Sequence, residues 1–144
     1  MWGPGHLVDT ASWPDLTSSG GKYAAPRLFA MAGLSPADID VAEIYDCFSP
    51  TVLMQLEDYG FCAKGEGGAF VASGATALHG SLPVNTHGGF LSEGYIHGMN
   101  TLCEAVQQLR GDCGPRQVAG AEVALSTGGD GMVAGHTSAI ILRS

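Results

Sequence analysis

The sequence predicts an α/β domain built on a mixed sheet of four or five strands flanked by helices. The first sign is Ile39 to Tyr45 (IDVAEIY), which mixes apolar and polar residues at strand spacing. It is followed by the polar turn Asp46-Cys47-Phe48, and Ser49-Pro50 then opens a helix with Val52, Leu53, Leu56 and Tyr59 on one face. Near the C-terminus, Glu122 to Leu125 (EVAL) and Ser138 to Leu142 (SAIIL) are short and apolar enough for buried strands that pair antiparallel. Residues 22–32 and 102–109 repeat apolar side chains at helical spacing.

Taken in order, residues 1–21 are rich in Gly, Pro, Ser and Asp and read as an opening loop that rests on a neighbour through Trp2 and Trp13. The domain proper is 22–144. Tyr23, Arg27, Leu28 and Met31 mark a helix that Gly33 ends, and Pro26, tolerated in a first turn, predicts a start a few residues late. Ser35-Pro36-Ala37-Asp38 has the cap, proline and acid of one short turn. Gly60 to Gly68 is glycine-rich but lacks the Gly-Lys-Ser/Thr ending of a phosphate loop. A short helix at 69–73, a loop at 74–80 and the lead-in Leu82-Pro83-Val84 come before Asn85. Leu102, Ala105, Val106 and Leu109 predict one face of a helix ended by Gly111, and Ser126 to Gly131 reads as a tight glycine turn between the last two strands.

A chain of 144 residues is one domain by size. Its formal charge of −8, with only six Lys and Arg, excludes a nucleic-acid ligand, which needs clustered positive charge. With 45% apolar and 14% charged residues, the composition points to a surface partly covered by another chain. No apolar run is long enough to span a bilayer, and Cys47, Cys62, Cys103 and Cys113 read as reduced thiols of a cytoplasmic protein rather than metal ligands. No clustered ligand set calls for a metal.

Asn85 to Asn100 (NTHGGFLSEGYIHGMN) is hard to explain by packing alone. It places two histidines, a tyrosine, a glutamate, two asparagines and four glycines in one turn-rich run ahead of a helix. Hydrogen-bonding side chains on glycine-permitted backbone suit a site where negative charge develops on a substrate oxygen. The turn at Tyr45 to Phe48 is a second candidate, because ligand sites in α/β sheets gather at the carboxyl ends of strands. By context alone Tyr45 is more often a rim residue, and Cys47 and Cys103 more often core thiols.

Three stretches together resemble the C-terminal half of thiolase-fold proteins, specifically the sterol-carrier-type thiolases and their lipid-transfer-protein-like homologues. That half carries an N-E-A-F or H-D-C-F turn, a G-H-P loop and a C-x-G loop. The corresponding residues are Tyr45-Asp46-Cys47-Phe48, Gly94-Tyr95-Ile96 and Ser126-Thr127-Gly128. The resemblance runs from about Ala24 to the C-terminus, includes Leu56 to Cys62 and Lys64 to Gly68, and implies a half-domain layered α-β-α. A thiolase has two such halves, and this sequence covers the second without its first strand. The expectation is therefore either a fragment or one half of a split protein.

Where a thiolase holds histidine, histidine and cysteine, this chain has Tyr45, Tyr95 and Ser126. A tyrosine whose ordinary pKa is ~10 is a poor acceptor near neutrality, so ordinary thiolysis is not expected. The tyrosine pair is similar to the aldolase members of the branch, which cleave steroid side chains as CoA thioesters. The resemblance implies retro-aldol cleavage of a β-hydroxyacyl-CoA, with Tyr45 and Tyr95 transferring protons and His97 tuning them. It also implies Asp46, His87, Gly88, Gly89, Ser126 and Gly128 against the substrate, whose enolate oxygen needs fixed donors. CoA enters as part of the substrate, and no tightly bound cofactor is expected. The implied partners are a thiolase N-terminal half or partner subunit and a small protein with an OB-fold and zinc ribbon, in a homo- or hetero-oligomer. Two other readings stay open: an acyltransferase whose nucleophile lies in the other half, and a non-catalytic acyl-CoA-binding or assembly subunit.

Overall fold

A computed structural model describes residues 15–130 and 137–144. The helices are α1 (Gly21–Ala32), α2 (Ser49–Asp58), α3 (Gly67–Ala72) and α4 (Met99–Arg110); the strands are β1 (Val41–Glu43), β2 (Val123–Asp130) and β3 (Thr137–Arg143). Single 3-10 turns lie at Pro36–Asp38 and Gly114–Arg116. Trp2, Trp13, His6 and His136 fall outside the described residues. Among the described residues no helix is long and apolar enough to cross a membrane.

The sheet is mixed, in the order β1-β2-β3, with β1 parallel to β2 and β2 antiparallel to β3. The α/β class holds, but the described residues form three strands rather than four or five. Leu82-Pro83-Val84 adds one isolated bridge, Val84 to Ala42, before Asn85 turns into a left-handed conformation at φ 50° and leaves the sheet. Strand alternation splits the core between two faces. Ala42, Ile44 and Leu125 pack with Phe29, Leu56 and Tyr59 under α1 and α2, while Val41 and Ala124 pack with Ala105 under α4. Helices on both faces give the α-β-α layering.

The details depart from the sequence reading in three places. Ser126 to Asp130 is not a turn but the end of β2. Gly128 and Gly129 sit at a register shift between Thr127 and Asp130, and Gly129 adopts φ 104°, which a side chain would oppose. The hydroxyls of Thr137 and Ser138 each donate across the irregularity at 2.7 Å, to the carbonyls of Gly129 and Gly128. Pro26 does not delay α1. It sits exposed inside the helix, whose start is held by buried Ser19 donating its N–H to Asp58. In α4 the fully buried positions are Asn100, Thr101, Glu104, Ala105 and Gln108, while Leu102, Val106 and Leu109 are only half-buried. Polar partners waiting on the sheet and loops draw the polar stripe inward.

Gly21 marks a close approach. A Cβ there would lie 2.7 Å from Tyr59 Cε2, and Tyr59 is 1% exposed and cannot swing away. Gly21→Ala is expected to destabilise the domain by about 1–3 kcal/mol through overpacking, read as a lower denaturant midpoint with an unchanged slope.

Candidate active site

Tyr45 leaves β1 with its peptide group fully engaged. Its N–H donates to Thr127 Oγ1 at 2.8 Å, and its carbonyl accepts from Gln55 Nε2 at 2.7 Å. The preceding N–H, of Ile44, donates to Asn85 Oδ1 at 2.6 Å. The turn is thereby tied to β2, α2 and the Asn85 loop. From the other side, buried Asn100 holds the loop that carries Tyr95: its Nδ2 donates to Glu93 Oε2 at 2.8 Å and Gly94 O at 2.9 Å, and its Oδ1 accepts from Ile96 N–H at 3.0 Å.

These anchors bring the two phenols together. The hydroxyls of Tyr45 and Tyr95 hydrogen-bond to one another across fifty positions of chain. Phe90 packs on both rings, at a centroid distance of 5.0 Å and edge-on to Tyr45, and at 4.8 Å from Tyr95. His97, also at φ 50°, lies with its ring 4.8 Å from that of Tyr95. A cavity of about 770 Å³ opens here. Val52, Leu53, Val71, Phe90 and Leu91 supply its apolar wall, and both tyrosines, Asp46 and Cys47 border it. Phe48 and Leu91 stand exposed at its rim.

Asp46 lines this cavity and also pins its floor, since both carboxylate oxygens accept from Phe90 N–H at 3.2 and 3.3 Å. Gly89 makes that approach possible: a Cβ there would meet Asp46 Oδ2 at 2.1 Å. The Gly88 N–H is already taken by the Asn85 carbonyl at 2.8 Å, so this expected substrate donor is used within the loop.

Ser126 and Gly128 lie around a second, smaller cavity of about 230 Å³ together with His97. Ser126 is buried and donates to Thr101 Oγ1 at 3.2 Å. Gly98 joins the two places, since a Cβ on it would lie 3.3 Å from Gly128 Cα and 3.9 Å from the Tyr45 ring. The three stretches picked out in the sequence therefore converge. His97 borders the small cavity while packing on Tyr95.

His87 does not belong to either cavity. Its side chain is 1% exposed, and Nδ1 bonds Glu43 Oε2 at 2.9 Å. The adjoining Glu43 and Glu104 are buried and joined through Thr86, whose Oγ1 lies 2.8 Å from Glu43 and 2.7 Å from Glu104, while the half-exposed Arg116 grips both Glu104 oxygens. Burial opposes charge on His87, but the hydrogen bond and charge of Glu43, aided by Glu93 and Glu104, raise its pKa overall. Burial likewise opposes charge on Glu104, yet Arg116, Thr86 and Gln108 hold its pKa below the usual range. His87, expected against the substrate, is thus held by a wholly buried carboxylate and lines neither cavity. The thiols also differ from expectation: Cys103 is exposed and Cys47 is half-buried on the cavity wall, whereas Cys113 is the buried one, pushed up to about 11 by burial and by Glu104.

Comparison with known proteins identifies relatives of this chain. The chain is 52% identical over 116 residues to the 17-hydroxy-3-oxo-4-pregnene-20-carboxyl-CoA lyase of Mycobacterium tuberculosis, covering 81% of this chain and 29% of that protein. It is 55% identical over 85 residues to the steroid side-chain-cleaving aldolase of Thermomonospora curvata, covering 59% of this chain and 22% of that one. The solved Ltp2–ChsH2(DUF35) aldolase superposes with a TM-score of 0.85 at 41% identity, over 92% of this chain and 34% of that one. The chain therefore spans between 22% and 34% of the length of these relatives. The family described as thiolase C-terminal domain-like matches residues 6–143, and this chain, with three converging loops on an α-β-α layered half-domain, belongs to it.

Proposed function

We propose that this chain supplies the proton-transfer face of a carbon–carbon lyase that cleaves a β-hydroxyacyl-CoA in the retro-aldol direction. The observation that carries the reading is the hydrogen-bonded pair of Tyr45 and Tyr95 hydroxyls at the edge of an open, largely apolar cavity of about 770 Å³. The two phenols act as a relay: one accepts the proton of the β-hydroxyl as it hands its own to the other, which passes a proton on towards the α carbon. The alkoxide collapses to a carbonyl, the bond between the α and β carbons breaks, and its electron pair leaves as the enolate of the shortened acyl-CoA. A proton returned to the α carbon completes the balance. Coupled phenols suit an alkoxide of high pKa and, lacking a strong nucleophile, spare the thioester. CoA is needed only as part of the substrate.

A steroid-like acyl group is the substrate of this reading, supported by the apolar wall of Val52, Leu53, Val71, Phe90 and Leu91 and by the names of the relatives. The complementary thiolase half, as a further segment or a partner subunit, completes the site. A small OB-fold and zinc-ribbon protein is the second partner of this reading, and the solved aldolase whose name pairs Ltp2 with ChsH2(DUF35) supports a partner protein of some kind. The test is to incubate the assembled enzyme with a β-hydroxyacyl-CoA and follow both products. Release of a ketone or aldehyde in step with a shortened acyl-CoA is expected without free CoA. Cleavage that requires free CoA would replace this reading with thiolysis, and binding without cleavage would leave an acyl-CoA-binding subunit.

A further inference from the structure

We infer that Gln55 is a positioning residue for the reaction, fixing the Tyr45 phenol by locking the peptide group from which that side chain springs; this rests on the reading of Tyr45 as a proton-transfer residue. Gln55 lies in the second turn of α2, is 0% exposed and lines neither cavity. Its side-chain amide closes a ring with Tyr45. The Tyr45 N–H donates to Thr127 Oγ1 at 2.8 Å, that hydroxyl donates to Gln55 Oε1 at 2.8 Å, and Gln55 Nε2 returns to the Tyr45 carbonyl at 2.7 Å. Nε2 also donates to Thr51 O at 3.1 Å, and Thr127 is itself 0% exposed.

The chemistry of this ring is specific to an amide. It needs a donor and an acceptor on one planar group, 10 residues from Tyr45 and 72 from Thr127. A leucine or methionine would fill the space but take from the Tyr45 carbonyl its Gln55 donor and from the Thr127 O–H its Gln55 acceptor. The ring fixes the plane of the peptide on both sides of the Tyr45 Cα, and so fixes where the phenol stands against Tyr95. Proton transfer tolerates little displacement, since about 1 Å of misplacement can cost on the order of 100-fold.

Gln55→Glu separates positioning from bulk. The glutamate is isosteric, but when ionised it has no donor for the carbonyls of Tyr45 and Thr51; when protonated its O–H restores one. Burial raises a carboxyl pKa, so the exchange falls in a measurable range. In the assembled enzyme the variant is expected to show a kcat lower by about 10- to 100-fold at mildly alkaline pH, with KM within about twofold of the parent. The ratio of variant to parent kcat should climb back towards one as the pH falls. Near-ultraviolet circular dichroism at each pH establishes that the compared proteins are folded.

A ratio that is flat with pH, or a parental kcat throughout, would overturn the inference, as would a loss confined to KM. Thr127→Val, which cuts the ring without adding charge, gives a second reading: a reduced kcat with unchanged KM is expected, and a parental kcat in folded protein counts against the proposal. Tyr45→Phe separates the two levels. If Tyr45→Phe keeps its activity, the reading of the site itself fails. If Tyr45→Phe is inactive while both Gln55→Glu and Thr127→Val behave as the parent, only the role of Gln55 fails.

Discussion

Tyr45→Phe and Tyr95→Phe are each expected to lower kcat of the assembled enzyme by about 10²- to 10⁴-fold, the span usual for loss of a general acid or base, while KM changes little. The substitution removes one oxygen and keeps the ring, so the edge-on contact of residue 45 with Phe90 at 5.0 Å and the packing of residue 95 against His97 at 4.8 Å survive. Both rings border the cavity, and the Tyr95 residue is 45% exposed, so neither change opens a void in the core. The loss therefore belongs to the chemical step. Because the two hydroxyls hydrogen-bond to one another, they act as one proton path, and the Tyr45→Phe, Tyr95→Phe double variant is expected to be scarcely slower than the worse single one. Multiplicative losses would mean two independent roles, and retained turnover in the double variant would remove both tyrosines from the mechanism. Rapid quench of product formation under single-turnover conditions separates these outcomes from slow product release.

How far the sequence could be read follows from which physical signals are local. The run from Ile39 through the Asp46-Cys47-Phe48 turn into α2 was legible because strand spacing, a polar turn and a Ser-Pro helix start succeed one another without interruption. The antiparallel pairing of β2 and β3 was legible from two apolar runs, but not their length: Gly128 and Gly129 look like a turn, and only the pairing partners on β3 turn them into an irregular strand end. The polar part of the buried face of α4 was not legible for a related reason. Leu102, Ala105, Val106 and Leu109 satisfy helical spacing, yet Thr101, Glu104 and Gln108 repeat at three and four positions as well, and what they bond lies elsewhere, at Thr127, Thr86 and Arg116. Glu43 was a visible anomaly, two positions after Val41 and thus on the same face of a buried strand. The tyrosine pair emerged through its resemblance to known motifs. Gln55, Phe90 and Asn100, which hold that pair in place, carry no local signature, because their partners are defined only by the fold.

His87→Leu is expected to be the most damaging single change to stability, costing about 3–5 kcal/mol, the range for removing one partner of a buried ion pair. Glu43 is 0% exposed, and without the imidazole its Oε2 loses the 2.9 Å contact that answers its charge, with Thr86 left to serve Oε1. Adding Glu43→Gln to His87→Leu should return part of the loss, since an amide needs no counter-charge; if the double variant is as unstable as the sum of the singles, the two side chains are not a pair. The parent should show the matching pH dependence. The pKa of His87 is raised above its ordinary 6.5, so its contribution is complete below that value and disappears as the pH climbs through the raised one. That of Glu104 is lowered below its ordinary 4.5, so its contribution is complete above that value and disappears as the pH falls through the lowered one. Both act in full between 4.5 and 6.5, where the denaturant midpoint should peak. The alkaline fall should be absent from His87→Leu, while the acid fall, to which Glu104 contributes together with Glu57, whose pKa is also lowered, should remain. Nε2 of His87 has no hydrogen-bond partner among the described residues, a cost borne most by the imidazolium. The alkaline fall therefore measures what Glu43 supplies beyond that cost, and a midpoint that still climbs as the pH approaches 6.5 and levels off above it would mean the histidine is held neutral.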